Sequence, residues 1–152
     1  MIMDLFVGGH AQGKLQLVKE SYGEDITIIN EFHIKIRDEL QKFVETAGQA
    51  GSEGCKTAEG NDVNCTGKEK YESRISEELS ENELADMIFE KLTAGIIYEK
   101  TVIISDEIGC GIVPMDRFDR LWRDITGKIL VKTAKISENV FRVTCGIANK
   151  IK

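Results

Sequence analysis

The chain has 152 residues, a net charge of -6, and 41% hydrophobic against 30% charged residues, enough for one domain with a real core and unlike a disordered or fibrous protein. The negative balance, with no basic stripe, excludes a phosphate backbone as the expected partner, so no nucleic acid is expected. No apolar run approaches the roughly 20 residues that cross a bilayer, and the N-terminus carries Asp4 instead of a basic start, so no membrane span and a cytoplasmic location are expected.

Taken in chain order, "IMDLFVGG" is a short apolar run ended by two glycines, which predicts a buried parallel strand entering a tight turn. Leu15, Val18 and Tyr22 follow at helical spacing, and Gly23 supplies a stop signal. "DITIIN" is rich in β-branched residues and predicts a second strand. The helix after it, residues 31–48, carries Phe32, Ile36, Leu40 and Phe43 on one face. From Gly48 to about Ser73 five glycines and many polar groups predict a flexible loop or flap. Ser80 and Glu83 have capping-box spacing ahead of a helix lined by Leu84, Ile88 and Leu92.

"TVIISDE" predicts a third strand ending in two acids. Pro114 is expected to open the next helix, since its missing N–H is one that a first turn does not use. Phe118, Leu121, Trp122, Ile125 and Ile129 line one face of that helix, and "NVFRVTCGIANKIK" alternates as a last strand. This order of strands and helices predicts a single three-layer α/β sandwich with a mainly parallel sheet. Cys55, Cys65, Cys110 and Cys145 form no Cys-x-x-Cys pair and are not spaced with His10 or His33 as zinc ligands, so separate reduced thiols are expected.

The chemistry begins at "GGHAQGKL". Gly8 through Gly13 and Lys14 satisfy Gly-x-x-x-x-Gly-Lys, the turn whose backbone N–H groups and lysine hold nucleotide phosphates at a helix N-terminus. Gly8, Gly9, His10, Ala11, Gln12, Gly13, Lys14 and Leu15 are therefore the candidate nucleotide-binding residues. Leu15 stands where the motif has the hydroxyl that binds magnesium. Asp106 is the candidate metal ligand and Glu107 the candidate catalytic acid or base, because ligands of parallel sheets bind at the carboxyl ends of strands. His33, early in the second helix, could face the same place and serve as a nucleophile.

The stretch "SDEIGCGIVPMDRFDRLWRDITGKI" resembles the CobU-type family, the bifunctional adenosylcobinamide kinase and adenosylcobinamide-phosphate guanylyltransferase. In that family Ser-Asn-Glu-Val-Gly-x-Gly-Ile-Val-Pro leads into a helix with Arg-Asp-Ile-x-Gly. Ser105, Glu107, Gly109, Gly111, Ile112, Val113, Pro114, Arg123, Asp124, Ile125 and Gly127 fit the pattern, as do Gly8, Gly9, Gly13 and Lys14 of its opening motif and the ending "GIANKIK". The resemblance implies a P-loop NTPase-like fold, ATP or GTP as donor with Mg2+, a cobinamide-type corrinoid as acceptor, and a homo-oligomer, commonly a trimer.

The middle of the chain departs from the family. The guanylylated histidine of the Arg-Ile-x-x-His setting has no counterpart in "KIRDELQKF", which leaves His33 as the substitute. "CKTAEG" shares only Thr57 and Glu59 with the family's Trp-Arg-Thr-x-Glu, and Val63-Asn64-Cys65 is a poor match to its strand ending in Asp-Cys. A relative that keeps the phosphate cradle but has lost metal and histidine chemistry, and so only binds nucleotide, is the alternative reading.

Overall fold

A computed structural model describes residues 3–23, 25–49, 79–96 and 100–152. The expected loop from Gly48 to Ser73 lies outside the described residues apart from its first two positions, and so do Thr57, Glu59 and Val63-Asn64-Cys65. The elements are β1 (Met3–Gly8), α1 (Lys14–Tyr22), β2 (Thr27–Ile29), α2 (Phe32–Gln49), α3 (Glu81–Thr93), β3 (Thr101–Asp106), α4 (Arg117–Ile136), β4 (Asn139–Thr144) and β5 (Ile147–Lys150). The sheet runs β2-β3-β1-β4-β5, parallel except for β5, which pairs antiparallel with β4. This is the α/β architecture expected from the sequence.

Two core clusters, one on each face of the sheet, hold it in place. Leu5 and Ile103 on one face pack with Phe32, Ile36, Leu84, Ile125 and Ile129 of α2, α3 and α4. On the other, Phe6, Val102, Ile104 and Val143 pack around Val18 of α1. Alternation along β1 and β3 thus feeds both layers, which is why both strands read as continuous apolar runs.

Local signals fixed most helix ends. The Ser80 hydroxyl accepts from Glu83 N at 3.3 Å and Ser80 N donates to Glu83 Oε2 at 2.8 Å, the capping box seen in the sequence. Gly23 closes α1 at φ 73°. Pro114, by contrast, does not open α4. The helix starts at Arg117, capped by Asp116, whose side chain accepts from Asp119 N, because a capping carboxylate satisfies an orphan N–H that proline merely lacks. The single last strand is instead a hairpin: Cys145 and Gly146 both have positive φ, 52° and 79°, the turn that joins two strands through two residues.

Asp4, the polar residue in the first apolar run, is buried and fully used. Its carboxylate accepts from Asn139 Nδ2 at 2.8 Å, from Asn139 N at 3.2 Å and from the Tyr22 hydroxyl, joining β1 to the start of β4 and the end of α1. Burial, and then the bond and charge of Asp4, push the Tyr22 phenol well above its usual range, so it stays a donor. Replacing Tyr22 by Phe should therefore cost about 1.5 to 3 kcal/mol in urea unfolding, the value of a hydrogen bond to a charged group. A loss below about 0.5 kcal/mol would show that Asp4 is satisfied without it.

Candidate functional site

Register places the site. Gly8, the last residue of β1, pairs with Asp106 on one side and Val143 on the other, so the loop after β1, the acids after β3 and the β4–β5 turn meet at one sheet edge. Glu107 N donates to Gly8 O at 2.9 Å and extends that edge by one residue. A Cβ on Gly8 would lie 2.4 Å from Val143 O, so only glycine lets β4 come this close. Gly13 caps α1 at φ 77° and Ala11 has φ 55°, giving the loop its reversal.

The loop is also docked from the side. Gly146 N donates to Gln12 O at 3.0 Å, and Cys145 N donates to the Gln12 side-chain oxygen. This support from the β4–β5 turn was missed in the sequence, where Gly146 was the one signal for it. Between loop and turn lies a cleft of about 270 Å3 lined by Gly8, Gly9, Gln12, Glu107, Arg142 and Cys145, among others.

Lys14 is buried and turned inward. Its Nζ lies 2.6 Å from Asp106 Oδ1 and donates to Gly9 O at 2.6 Å, with Gly8 O at 3.4 Å. Exposed His10 reaches back across the loop, its Nδ1 3.0 Å from Asp106 Oδ2. Burial alone would raise the Asp106 pKa, but hydrogen bonds from Lys14 and His10 and the charges of Lys14 and His33 carry it below the usual value. Asp106 is a carboxylate whose two oxygens are both occupied by basic groups.

His33 completes this cluster from α2. Its Nδ1 accepts from Asp106 N at 3.1 Å, so the neutral ring carries its proton on Nε2, which faces Asp106 Oδ2 at 3.7 Å. The ring stacks on Trp122, whose Nε1 donates to His33 O at 2.9 Å. Burial lowers the His33 pKa, against the opposing pull of Asp106 and Glu31 and with the help of the Lys14 and His10 charges.

Leu15 follows Lys14 in the first turn of α1. Its side chain packs partly buried against the Phe6–Val18 cluster, so the residue serves the core and offers no lone pair to a metal. Among the described residues no group of three or more His, Cys, Asp or Glu could hold a metal ion. Glu107 lines the cleft and accepts from Gly109 N at 2.9 Å.

A mainly parallel sheet with a glycine-rich loop, a lysine and an acid gathered at its carboxyl edge defines an α/β protein of P-loop NTPase-like architecture. Residues 66–151, more than half of the chain, match the family described as CobU, cobinamide kinase / cobinamide phosphate guanyltransferase, and the chain belongs to that family. The match begins after the loop at residues 8–14. Relatives include the bifunctional adenosylcobalamin biosynthesis proteins CobU of Salmonella typhimurium and Escherichia coli, each 42% identical over 53 residues, or 35% of this chain. The matched stretch spans 29% of the length of each relative.

The depressed His33 pKa has a definite sign for stability. Folding holds the ring neutral, so its contribution is present above the unfolded value of about 6.5 and is lost as pH falls through the window below it. The melting temperature of the wild type should drop more between about pH 7.5 and about pH 5.5 than that of His33→Asn. Parallel drops in the two proteins would contradict a neutral, buried His33.

Proposed function

We propose that the protein is a nucleoside-triphosphate-dependent transferase of the cobinamide kinase and guanylyltransferase kind, working as a single P-loop domain on a cobinamide-type corrinoid. The observation that carries this reading is the meeting of Lys14, Asp106 and Glu107 at the phosphate loop of a chain from this family. ATP or GTP is the proposed donor. Its phosphates would take the loop N–H groups and the Lys14 ammonium, which must then leave Asp106. Glu107, on the same cleft, is the proposed base for the acceptor hydroxyl.

Mg2+ would enter with the triphosphate, keeping most of its waters and neutralising phosphate charge. Asp106 is the carboxylate in reach, and taking the ion means giving up Lys14 or His10; Leu15 contributes nothing. For His33 the geometry favours holding Asp106 in place. A nucleotidyl-carrying role requires that its Nδ1 first be released from Asp106 N. Base-stable, acid-labile label on His33 after incubation with labelled GTP would establish that role, and its absence would leave His33 to positioning.

A homo-oligomer, a trimer by family resemblance, and a cytoplasmic location belong to the same proposal; Ile112 and Met115, both 97% exposed, would suit a contact between copies. Among the described residues no helix is long and apolar enough to cross a membrane. The alternative, a nucleotide-binding relative without turnover, is favoured by Leu15 and by the occupied Asp106 oxygens.

Purified protein with magnesium, labelled ATP or GTP and adenosylcobinamide should give phosphorylated or guanylylated product; nucleotide binding without product would establish the alternative. Lys14→Ala should weaken triphosphate binding by about 1.5 to 3 kcal/mol in calorimetry, and unchanged affinity would remove the phosphate-loop reading. Asp106→Asn, which installs the residue of the Ser-Asn-Glu motif, should tighten binding in chelator by about tenfold, because it removes a negative charge facing the phosphates and frees the lysine. Weaker binding in chelator would mean that Asp106 supports the phosphates directly.

A further inference from the structure

The carboxylate of Glu107 is set by a short relay that ends on α4. Its backbone is fixed by the bond from Glu107 N to Gly8 O, and its side chain accepts from Gly109 N at 2.9 Å. The same residue, Gly109, offers its carbonyl to Arg123 Nη2 at 2.5 Å. Gly109 is thus gripped on both polar groups, one by the carboxylate and one by the guanidinium. A Cβ there would lie 2.7 Å from Glu107 Oε1, so any side chain at this position would push the carboxylate aside. One turn earlier on α4, Arg120 Nη1 donates to Pro114 O at 3.0 Å and Met115 O at 2.6 Å. Two arginines on one helix therefore suspend both ends of segment 109–115. The helix is anchored by Ile125 and Ile129, both fully buried, so the segment takes its position from the core.

We propose that Arg123 is a positioning residue for Glu107, holding Gly109 through its carbonyl so that the N–H of the same residue aims the carboxylate into the cleft beside the phosphate loop. The catalytic half of this inference rests on Glu107 being the base proposed above; the structural half does not. Arginine suits the task because its planar fork holds one orientation where a lysine ammonium would swivel. The strain-free cost of losing it is a carboxylate that wanders, and a displacement of about 1 Å is worth about a hundredfold in rate.

Cys110 supplies a reporter that needs no turnover. The Glu107 carboxylate pushes the pKa of its exposed thiol up, by hydrogen bonding and by charge, while the Arg142 and Arg123 charges pull it down. The two roles open to Arg123 predict opposite signs. If Arg123 is only a nearby cation, removing it leaves Glu107 in place and makes Cys110 less reactive. If it positions Glu107, removing it frees the carboxylate, and Cys110 becomes a better thiolate.

The test is the rate of iodoacetamide alkylation at the Cys110 peptide, read by mass spectrometry at about pH 8, in wild type, Arg123→Ala, Arg123→Lys, Glu107→Gln and the double variant of Arg123→Ala with Glu107→Gln. The proposal expects Arg123→Ala and Glu107→Gln each to speed alkylation about threefold to tenfold, Arg123→Lys to lie between, and the double variant to gain nothing further. Slower alkylation in Arg123→Ala, or effects of the two substitutions that add, overturns it. Melting temperatures of the variants separate displacement from unfolding, and glutathione alkylated in the same sample serves as the rate standard. With an active enzyme, kcat of Arg123→Ala should fall about a hundredfold with the nucleotide KM unchanged, and should fall no further on the Glu107→Gln background. A protein that shows the alkylation pattern but no turnover sustains the relay and removes the base assignment of Glu107.

Discussion

The ion pair between Lys14 and Asp106 is the contact on which the rest of the site depends. Both groups are largely withdrawn from water, at 7% and 15% side-chain exposure, and withdrawing a charge costs several kcal/mol unless a partner offsets it. Here each offsets the other, with the loop carbonyls completing the lysine and His10 completing the acid. A buried pair of this kind adds little net stability, so its value lies elsewhere. It keeps a cation in an acidic chain at the loop where phosphate is proposed to bind. Phosphate oxygens can replace Asp106 as the counter-charge with no cost for burying the lysine anew.

That pair exists only because three strands end level. The Gly8–Asp106 and Gly8–Val143 register brings residues nearly a hundred positions apart within one ion pair, and a side chain on Gly8 would push β4 away. The β4–β5 turn then braces Gln12 from outside, and α2 brings His33 under Asp106. The loop is accordingly held on three sides, which leaves its N–H groups preorganised for a ligand instead of fluctuating. Leu15 fits this picture: the side chain after the lysine strengthens the core beneath α1 where a hydroxyl would have faced the metal.

The parts legible in the sequence were those that local chemistry decides. Glycine spacing with Lys14 marked the loop, apolar runs marked β1 and β3, the β-branched run "DITIIN" marked β2, and the Ser80–Glu83 pair marked the start of α3. Errors arose where two local signals competed. Pro114 lost the helix start to Asp116, whose carboxylate can accept a hydrogen bond, and the alternation from Val140 onward hid the Cys145-Gly146 turn inside a single strand. The convergence of His10, Lys14 and His33 on Asp106 was named in pieces but could not be seen as one cluster. Their separations along the chain carry no period, and only the strand register brings them together. The Arg123–Gly109 bond is of the same kind: both residues stood in the family motif, and nothing in the string says that they touch.

The most direct measurement is a crystal structure of the protein with a non-hydrolysable triphosphate bound in the presence of chelator. This account predicts that the terminal phosphates sit on the N–H groups of residues 9–14, with Lys14 Nζ on phosphate oxygens and no longer paired to Asp106, while His33 Nδ1 still accepts from Asp106 N. Nucleotide bound elsewhere, or bound at the loop with the Lys14–Asp106 pair intact, would contradict it.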